Sequence, residues 1–298
     1  MDHLTGALAV VASMAVAAII WWPIRAVIAQ QVERAFERRY PRDAKGYIIG
    51  AEPLLLKGTR PGAVLLLHGF NDSPQAMTSM ATALHTVGWS VFVPALPGHA
   101  RTLQAFAQSG ATDWESAARD ELRQIQAVNA EVAICGMSMG GALALLLAAE
   151  VPEVRAAVAL APYLHRARAL IWLRLLGPVA ALGARWVASG GQSSIRDPAA
   201  AQRIIAYRMA TPRLIRELAR VTRDARDALP RVTQPVLVLQ SREDIRIPAA
   251  SAERAFAAIG SADKTLEWLS GAGHVIAVDF GHEAVEQRVI EWLSARLA

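Results

Sequence analysis

The chain has 298 residues, enough to bury the core of one large domain or two small ones. Its formal charge of +5 is not drawn into a basic stripe with interleaved aromatics, which excludes a nucleic-acid partner, and its single cysteine, Cys135, excludes an internal disulfide. Hydrophobic residues at 53% against 19% charged exceed the balance of an ordinary soluble domain and point to apolar surface that meets lipid.

The first candidate for that surface is the run Leu4 to Ile24, 21 residues without a charge. As a helix it would reach about 31 Å, the thickness of a hydrocarbon core, with Trp21 and Trp22 near its end where indoles favour the interface. A cleaved signal peptide is the competing reading, with Val27-Ile28-Ala29 as a small-residue cleavage site. It fits less well, because Met1-Asp2-His3 carries no Lys or Arg and the run is longer than a usual signal core. An N-terminal transmembrane anchor over residues 1–30 is therefore expected, crossing the membrane through residues 4–24. Arg25, Arg34, Arg38, Arg39, Arg42 and Lys45 all follow the run and none precedes it, so the rest of the chain is expected to be cytoplasmic. Residues 31–46 read as a basic linker, either touching anionic headgroups or solvated.

Beyond the linker, short apolar runs alternate with amphipathic ones, which predicts an α/β fold with a mostly parallel sheet flanked by helices. Strands are expected at Ala63–Leu67, Val91–Val93, Val132–Cys135, Val154–Leu160, Val236–Leu239 and Thr265–Leu269. Helices are expected near Ser73-Pro74, from Thr112, where Thr112-Asp113-Trp114-Glu115 forms a capping box, and from Ser138. Residues 163–230 hold no strand-like run and read as a helical cap insertion between 47–162 and 231–298, which make up the core.

The stretch Ile134 to Gly141, "ICGMSMGG", follows a strand and opens a helix. Glycines two residues on either side of Ser138 suit a strained turn that presents its hydroxyl in the open, so Ser138 is the candidate nucleophile. A serine needs a base. His274 lies in the glycine-rich loop after the last strand, "SGAGHVIAVDF", whereas its rival His282 opens the last helix and reads as an exposed polar residue. The base needs a carboxylate, and Asp244 stands just beyond the strand "VLVLQ", where parallel sheets place their active groups. Glu243 is the alternative, since carboxylate type alone does not choose between neighbours. The oxyanion donors are expected to be the backbone N–H of Met139, after the nucleophile, and of Phe70, in the loop His68-Gly69-Phe70-Asn71. His68 reads as a structural hydrogen-bonding residue.

The segments "LLLHGFNDSPQAM", "PALPGHA", "ICGMSMGG", "PVLVLQSREDIRIP" and "GAGHVIAVD" resemble the bacterial carboxylesterase and monoacylglycerol lipase (lysophospholipase-like) branch of the α/β-hydrolase family, over about residues 60–298. The resemblance implies an α/β-hydrolase fold with Ser138, Asp244 and His274 as catalytic triad and Phe70 and Met139 as oxyanion hole. The spacing of Pro248 after Asp244 matches as well. Ala100 departs from it, since glycine usually follows "PGH", and a differently shaped loop is expected there. The reading is a serine hydrolase of carboxylic esters, with a monoacylglycerol, lysophospholipid, short-chain ester or thioester as substrate. Because the triad fixes only the acyl half, transfer of the acyl group to another alcohol is left open as an alternative. No metal or organic cofactor is called for. The apolar run around Trp172 and Leu176 is expected to line the acyl pocket. The rival class is a non-catalytic protein of this fold that binds a lipid or a partner, which would be expected to lack a triad member.

Overall fold

The computed structural model describes residues 2–165, 185–189 and 194–297, with side chains from residue 21 onward. The chain begins with one long helix, α1 (Asp2–Arg39). The expected linker from residue 31 is thus helical to Arg39, and it docks rather than floats. Ala29 and Phe36 are buried, and Glu33 accepts hydrogen bonds from Trp186 Nε1 at 3.1 Å and Gln104 Nε2 at 3.0 Å. An alternation of basic residues with Glu33 and Phe36 reads as solvated in sequence; the partners that bury it lie far along the chain. The anchor expected at 4–24 falls largely on side chains outside the described set. Among the described residues, no helix is long and apolar enough to cross a membrane.

Next come β1 (Leu54–Leu56), β2 (Gly62–Leu67), a short 3₁₀ turn at Pro74–Met77, α2 (Thr78–Thr86) and β3 (Ser90–Val93). They are followed by α3 (Leu103–Gln108), α4 (Ala111–Gln126), β4 (Glu131–Met137), α5 (Met139–Glu150) and β5 (Ala156–Leu160). The described part of the next block holds β6 (Val187–Ala188), α6 (Pro198–Arg203), β7 (Met209–Ala210) and α7 (Pro212–Ala228). The chain closes with β8 (Val236–Ser241), α8 (Ala249–Ala258), β9 (Lys264–Leu269) and α9 (His282–Ser294).

Seven strands form one sheet in the order β1-β3-β2-β4-β5-β8-β9, and only the edge pair β1 and β3 is antiparallel. Leu65 and Leu67 pack into the core on one face of the sheet, and Val64 and Leu66 into the core on the other. Burial on both faces is why β2 reads as an unbroken apolar run rather than an alternating one. This is the α/β-hydrolase arrangement, with a mostly parallel sheet between helices.

Two expectations change. Within residues 163–230, β6 and β7 pair antiparallel, Val187 with Ala210 and Ala188 with Met209. Strands of two residues are too short to leave a periodicity. The capping box is not used, because α4 starts one residue earlier, with Gly110 as its cap and Thr112 inside the first turn. The first amide, Ala111 N–H, donates instead to Glu217 Oε2 of α7 at 3.1 Å, a distant side chain in the place of a local one.

Candidate active site

Ser138 is the single residue between β4 and α5, at φ 56° and ψ −114°. A side-chain-bearing residue held there stores roughly 1–3 kcal/mol, so its neighbours must impose the conformation. They do so through backbone bonds: Ser138 N–H donates to Leu160 O of β5 at 2.9 Å, and Ser138 O accepts from Tyr163 N–H at 2.9 Å. The flanking glycines let the elements close. A Cβ on Gly136 would lie 2.0 Å from Gly140 O, and one on Gly140 would lie 2.0 Å from Leu67 O. Strand β4, helix α5 and strand β2 therefore meet at backbone contact, and nothing larger than hydrogen fits at either position. The turn does not stand in the open as expected. Ser138 is 8% exposed and faces a cavity of about 140 Å³ shared with His274, Phe70, Asp72 and Tyr163.

The structure brings Ser138, His274 and Asp244 together. His274 Nδ1 lies 2.8 Å from Asp244 Oδ2, and His274 Nε2 lies 2.8 Å from Ser138 Oγ. A carboxylate only accepts, so Nδ1 carries the proton and Nε2 is left to accept from the serine hydroxyl. Burial pushes the Asp244 carboxyl upward. The hydrogen bond and charge of His274, the Arg246 amide and the Gln240 side chain outweigh it and hold Asp244 below the usual carboxylate range. Its four bonds, from His274, Gln240 Nε2 and the amides of Arg246 and Ile247, leave no lone pair idle. Both alternatives face elsewhere. Glu243 accepts from Ser241 Oγ and Gly271 N–H, while His282 Nδ1 lies 3.2 Å from Asp279 O and 3.4 Å from Glu283 Oε2.

Asp279 was not singled out in the sequence, yet it fixes the His274 loop. Fully buried, it accepts from the amides of Gly273, Arg196, Asp197 and Phe280, tying the histidine loop to the segment that enters α6. His274 N–H in turn donates to Ser194 O at 2.9 Å.

Met139 opens α5 and Phe70 lies in the loop after β2; among the described residues neither N–H is engaged in a hydrogen bond. The Phe70 peptide is gripped from its other side. His99 Nε2 donates to Phe70 O at 2.8 Å, and burial pushes His99 down to about 4, so the ring is neutral and commits its one proton to this bond. His68 accepts from Leu96 N–H and donates to Gly69 O, with burial and the neighbouring His99 lowering it to about 3. It is a structural residue, as the sequence suggested. Tyr207, likewise unmarked in the sequence, joins the two loops. Its N–H donates to Asn71 O at 2.8 Å and its hydroxyl to Gly98 O at 2.8 Å, while its ring stacks between Phe36 and Phe106.

Ala100 takes φ 56°, the left-handed conformation that glycine favours. The loop after "PGH" thus bends as a glycine would bend it, with strain where a different shape was expected. Trp172 and Leu176 lie outside the described residues. Cys135 is buried in the core, its thiol pushed up to about 12 by burial. Among the described residues no cluster of His, Cys, Asp and Glu could hold a metal ion.

The chain is similar to several known proteins. A thermostable monoacylglycerol lipase of Bacillus sp. (strain H-257) is 26% identical over 245 residues, covering 82% of this chain and 95% of that protein. A carboxylesterase of Bacillus subtilis (strain 168) is 26% identical over 248 residues, covering 83% and 97%. Among solved structures, one from the metagenome-derived lipolytic enzymes LipS and LipT superposes with a TM-score of 0.77 at 30% identity, covering 83% of this chain and 98% of that one. The Hydrolase_4 family, described as serine aminopeptidase S33, matches residues 58–280, a span that takes in β2 with its loop, the Ser138 turn, Asp244 and His274, and the chain belongs to that family.

Proposed function

We propose that the protein is a carboxylic ester hydrolase that works through an acyl-enzyme on Ser138. The observation that carries this reading is the pair of 2.8 Å contacts linking Ser138 Oγ, His274 and Asp244 at one wall of a cavity. In the proposed mechanism His274 Nε2 takes the serine proton as Oγ attacks the ester carbonyl, and Asp244 stabilises the imidazolium that forms. The amides of Met139 and Phe70 receive the oxyanion, with the positive end of α5 beneath it. His274 then protonates the departing alcohol. Water, deprotonated by the same nitrogen, releases the acid. Hydrolase relatives named for monoacylglycerol and carboxylic esters support esters as the substrate class. Within it we favour a monoacylglycerol, lysophospholipid or short-chain ester.

Residues 163–230 are proposed as a cap over this site. The reading draws support from Tyr163, Ser189, Ser194, Ile204 and Leu218, which the segment contributes to the cavity lining. Trp172 and Leu176 are proposed as contacts of the acyl chain. We further propose that residues 4–24 anchor the protein in the membrane with the catalytic domain on the cytoplasmic side. The uncharged run, its continuity with α1 and the basic residues that follow it support this.

A fluorophosphonate probe, which reacts only with an activated serine, tests the assignment together with hydrolysis of p-nitrophenyl butyrate. Wild type is expected to label and turn over, and Ser138→Ala to do neither while unfolding at an unchanged urea midpoint. A wild-type protein that fails to label, or a Ser138→Ala variant with full turnover, overturns the reading in favour of a binding protein of this fold or a different nucleophile.

A further inference from the structure

One buried acid in the cavity has no task in the chemistry above. Asp72 is 9% exposed and lines the same cavity as Ser138 and His274. A methyl group at Gly69 would meet Asp72 Oδ2 at 2.4 Å and Ser138 Cβ at 3.4 Å, so the carboxyl stands beside the serine. Among the described residues, no hydrogen-bond donor reaches it, and the one opposing charge it feels is that of His274. Its neighbour Asn71 lines the cavity as well. Asn71 Nδ2 donates to Ser189 Oγ, yet Asn71 Oδ1 is buried without a partner among the described residues.

The backbone that carries both residues is held in place. The loop is fastened on both sides: Tyr207 N–H donates to Asn71 O, Ser73 Oγ to Ile205 O, and Ile205 N–H to Gln75 Oε1. A nearly buried carboxyl without a donor among the described residues costs stability, since a buried polar group left unpaired loses roughly 1–3 kcal/mol, and more when it is charged. Such groups are matched by a ligand that brings donors. The donors on offer are a hydroxyl or an ammonium, and the cavity chooses between them. Arg208 and Arg246 line it too, so a substrate cation would meet two guanidinium groups. A hydrocarbon acyl chain has no donor at all, which leaves the alcohol half.

We propose that Asp72 is a specificity-determining residue whose carboxyl accepts hydrogen bonds from free hydroxyl groups on the alcohol half of the substrate, so that esters of polyols are favoured over esters of simple alcohols. The proposal rests on the ester-hydrolase reading and adds the residues that select the alcohol. It predicts discrimination from an unmet acceptor, a stronger device than fitting a hydrocarbon pocket, because the wrong substrate leaves the carboxyl unpaired.

The test compares kcat/KM for glyceryl monobutyrate and ethyl butyrate, two esters of one acid, in the full-length wild type, Asp72→Ala and Asp72→Asn, with fluorophosphonate labelling run alongside. Wild type is expected to favour the glyceryl ester. Asp72→Ala is expected to lower the glyceryl-to-ethyl ratio by about 10-fold, equivalent to about 1.4 kcal/mol. Asp72→Asn, which keeps an acceptor, is expected to retain a larger share of the ratio. A ratio unchanged in both variants, whether the two esters slow equally or not at all, overturns the proposal while labelling keeps the hydrolase reading intact. Should Asp72→Ala fail to fold, the Asp72→Asn ratio decides: a fall supports the proposal and the wild-type ratio overturns it. A wild type that neither labels nor hydrolyses either ester overturns the hydrolase reading itself, and the proposal with it.

Discussion

Ala100 holds a left-handed backbone at φ 56° while buried, and Ile48 N–H donates to its carbonyl at 2.8 Å, so the conformation is pinned from outside. Replacing it by glycine removes the clash of Cβ with the following carbonyl, roughly 1–2 kcal/mol, at the expense of a more flexible unfolded chain. Ala100→Gly is therefore expected to raise stability by up to about 1 kcal/mol, read as an upward shift of the urea midpoint. Asp72 is the opposite case, a residue retained at a loss. Burial raises its carboxyl from 3.8 to about 6, so the folded protein holds a proton there that the unfolded chain gives up. Stability then falls as pH rises from about 4 to about 6 and stays reduced above that. Asp72→Asn is expected to stabilise the protein at pH 8 by at most about 3 kcal/mol and to bring no gain at pH 4, measured by urea unfolding at both values. A destabilised variant at pH 8 would show that the carboxylate has a partner after all. Ser138, Asp244 and His274 are legible in the sequence because each must sit directly beyond a strand, in a loop of recognisable composition. Asp72 is not. Asn-Asp-Ser-Pro is ordinary turn chemistry, and the lack of a donor is a property of the residues folded around it.

At the scale of elements, the sheet could be read from its apolar runs, since β2, β4, β5 and β8 are buried along nearly their whole length. The edge strand β1 could not, because three residues paired antiparallel on one side make no pattern. The start of α4 shows how a sound local rule is overridden. Its box of Thr112 and Glu115 satisfies the sequence criterion, but Glu217 reaches across from α7 and serves the first amide one residue earlier. The bond adds a specific polar link between two helices that also pack against each other. Glu217→Ala is expected to destabilise the fold by about 1 kcal/mol, the usual worth of a helix cap, although residue 217 is far from α4 in sequence. Amide exchange should speed up at Ala111 and the first turn of α4; acceleration confined to α7 would argue against the coupling.

For the molecule as a whole, the division of α1 matters most. Its second half is part of the folded body, through the stacking of Phe36 on Tyr207 at 5.2 Å and the bonds of Glu33 to Trp186 and Gln104. Deleting residues 1–24 is expected to leave the urea midpoint unchanged. Deleting 1–39 removes a buried Phe and the partners of Trp186 and is expected to cost about 3 kcal/mol or more. Equal midpoints for the two truncations would show the docking to be idle. Tyr207 also holds the Asn71 carbonyl and the Gly98 carbonyl, so the longer deletion should lower kcat as well.

A continuous helix of 38 residues has a mechanical meaning when one end is fastened to the body. At 1.5 Å per residue it spans about 57 Å. With residues 4–24 in the bilayer, the docked turns beyond them would hold the catalytic domain near the lipid surface, with Pro23, inside the helix, as the point about which it would tilt. Its search for substrate would then be confined to two dimensions. Vesicle-borne esters and freely dissolved ones would be met at very different rates by the same unchanged serine.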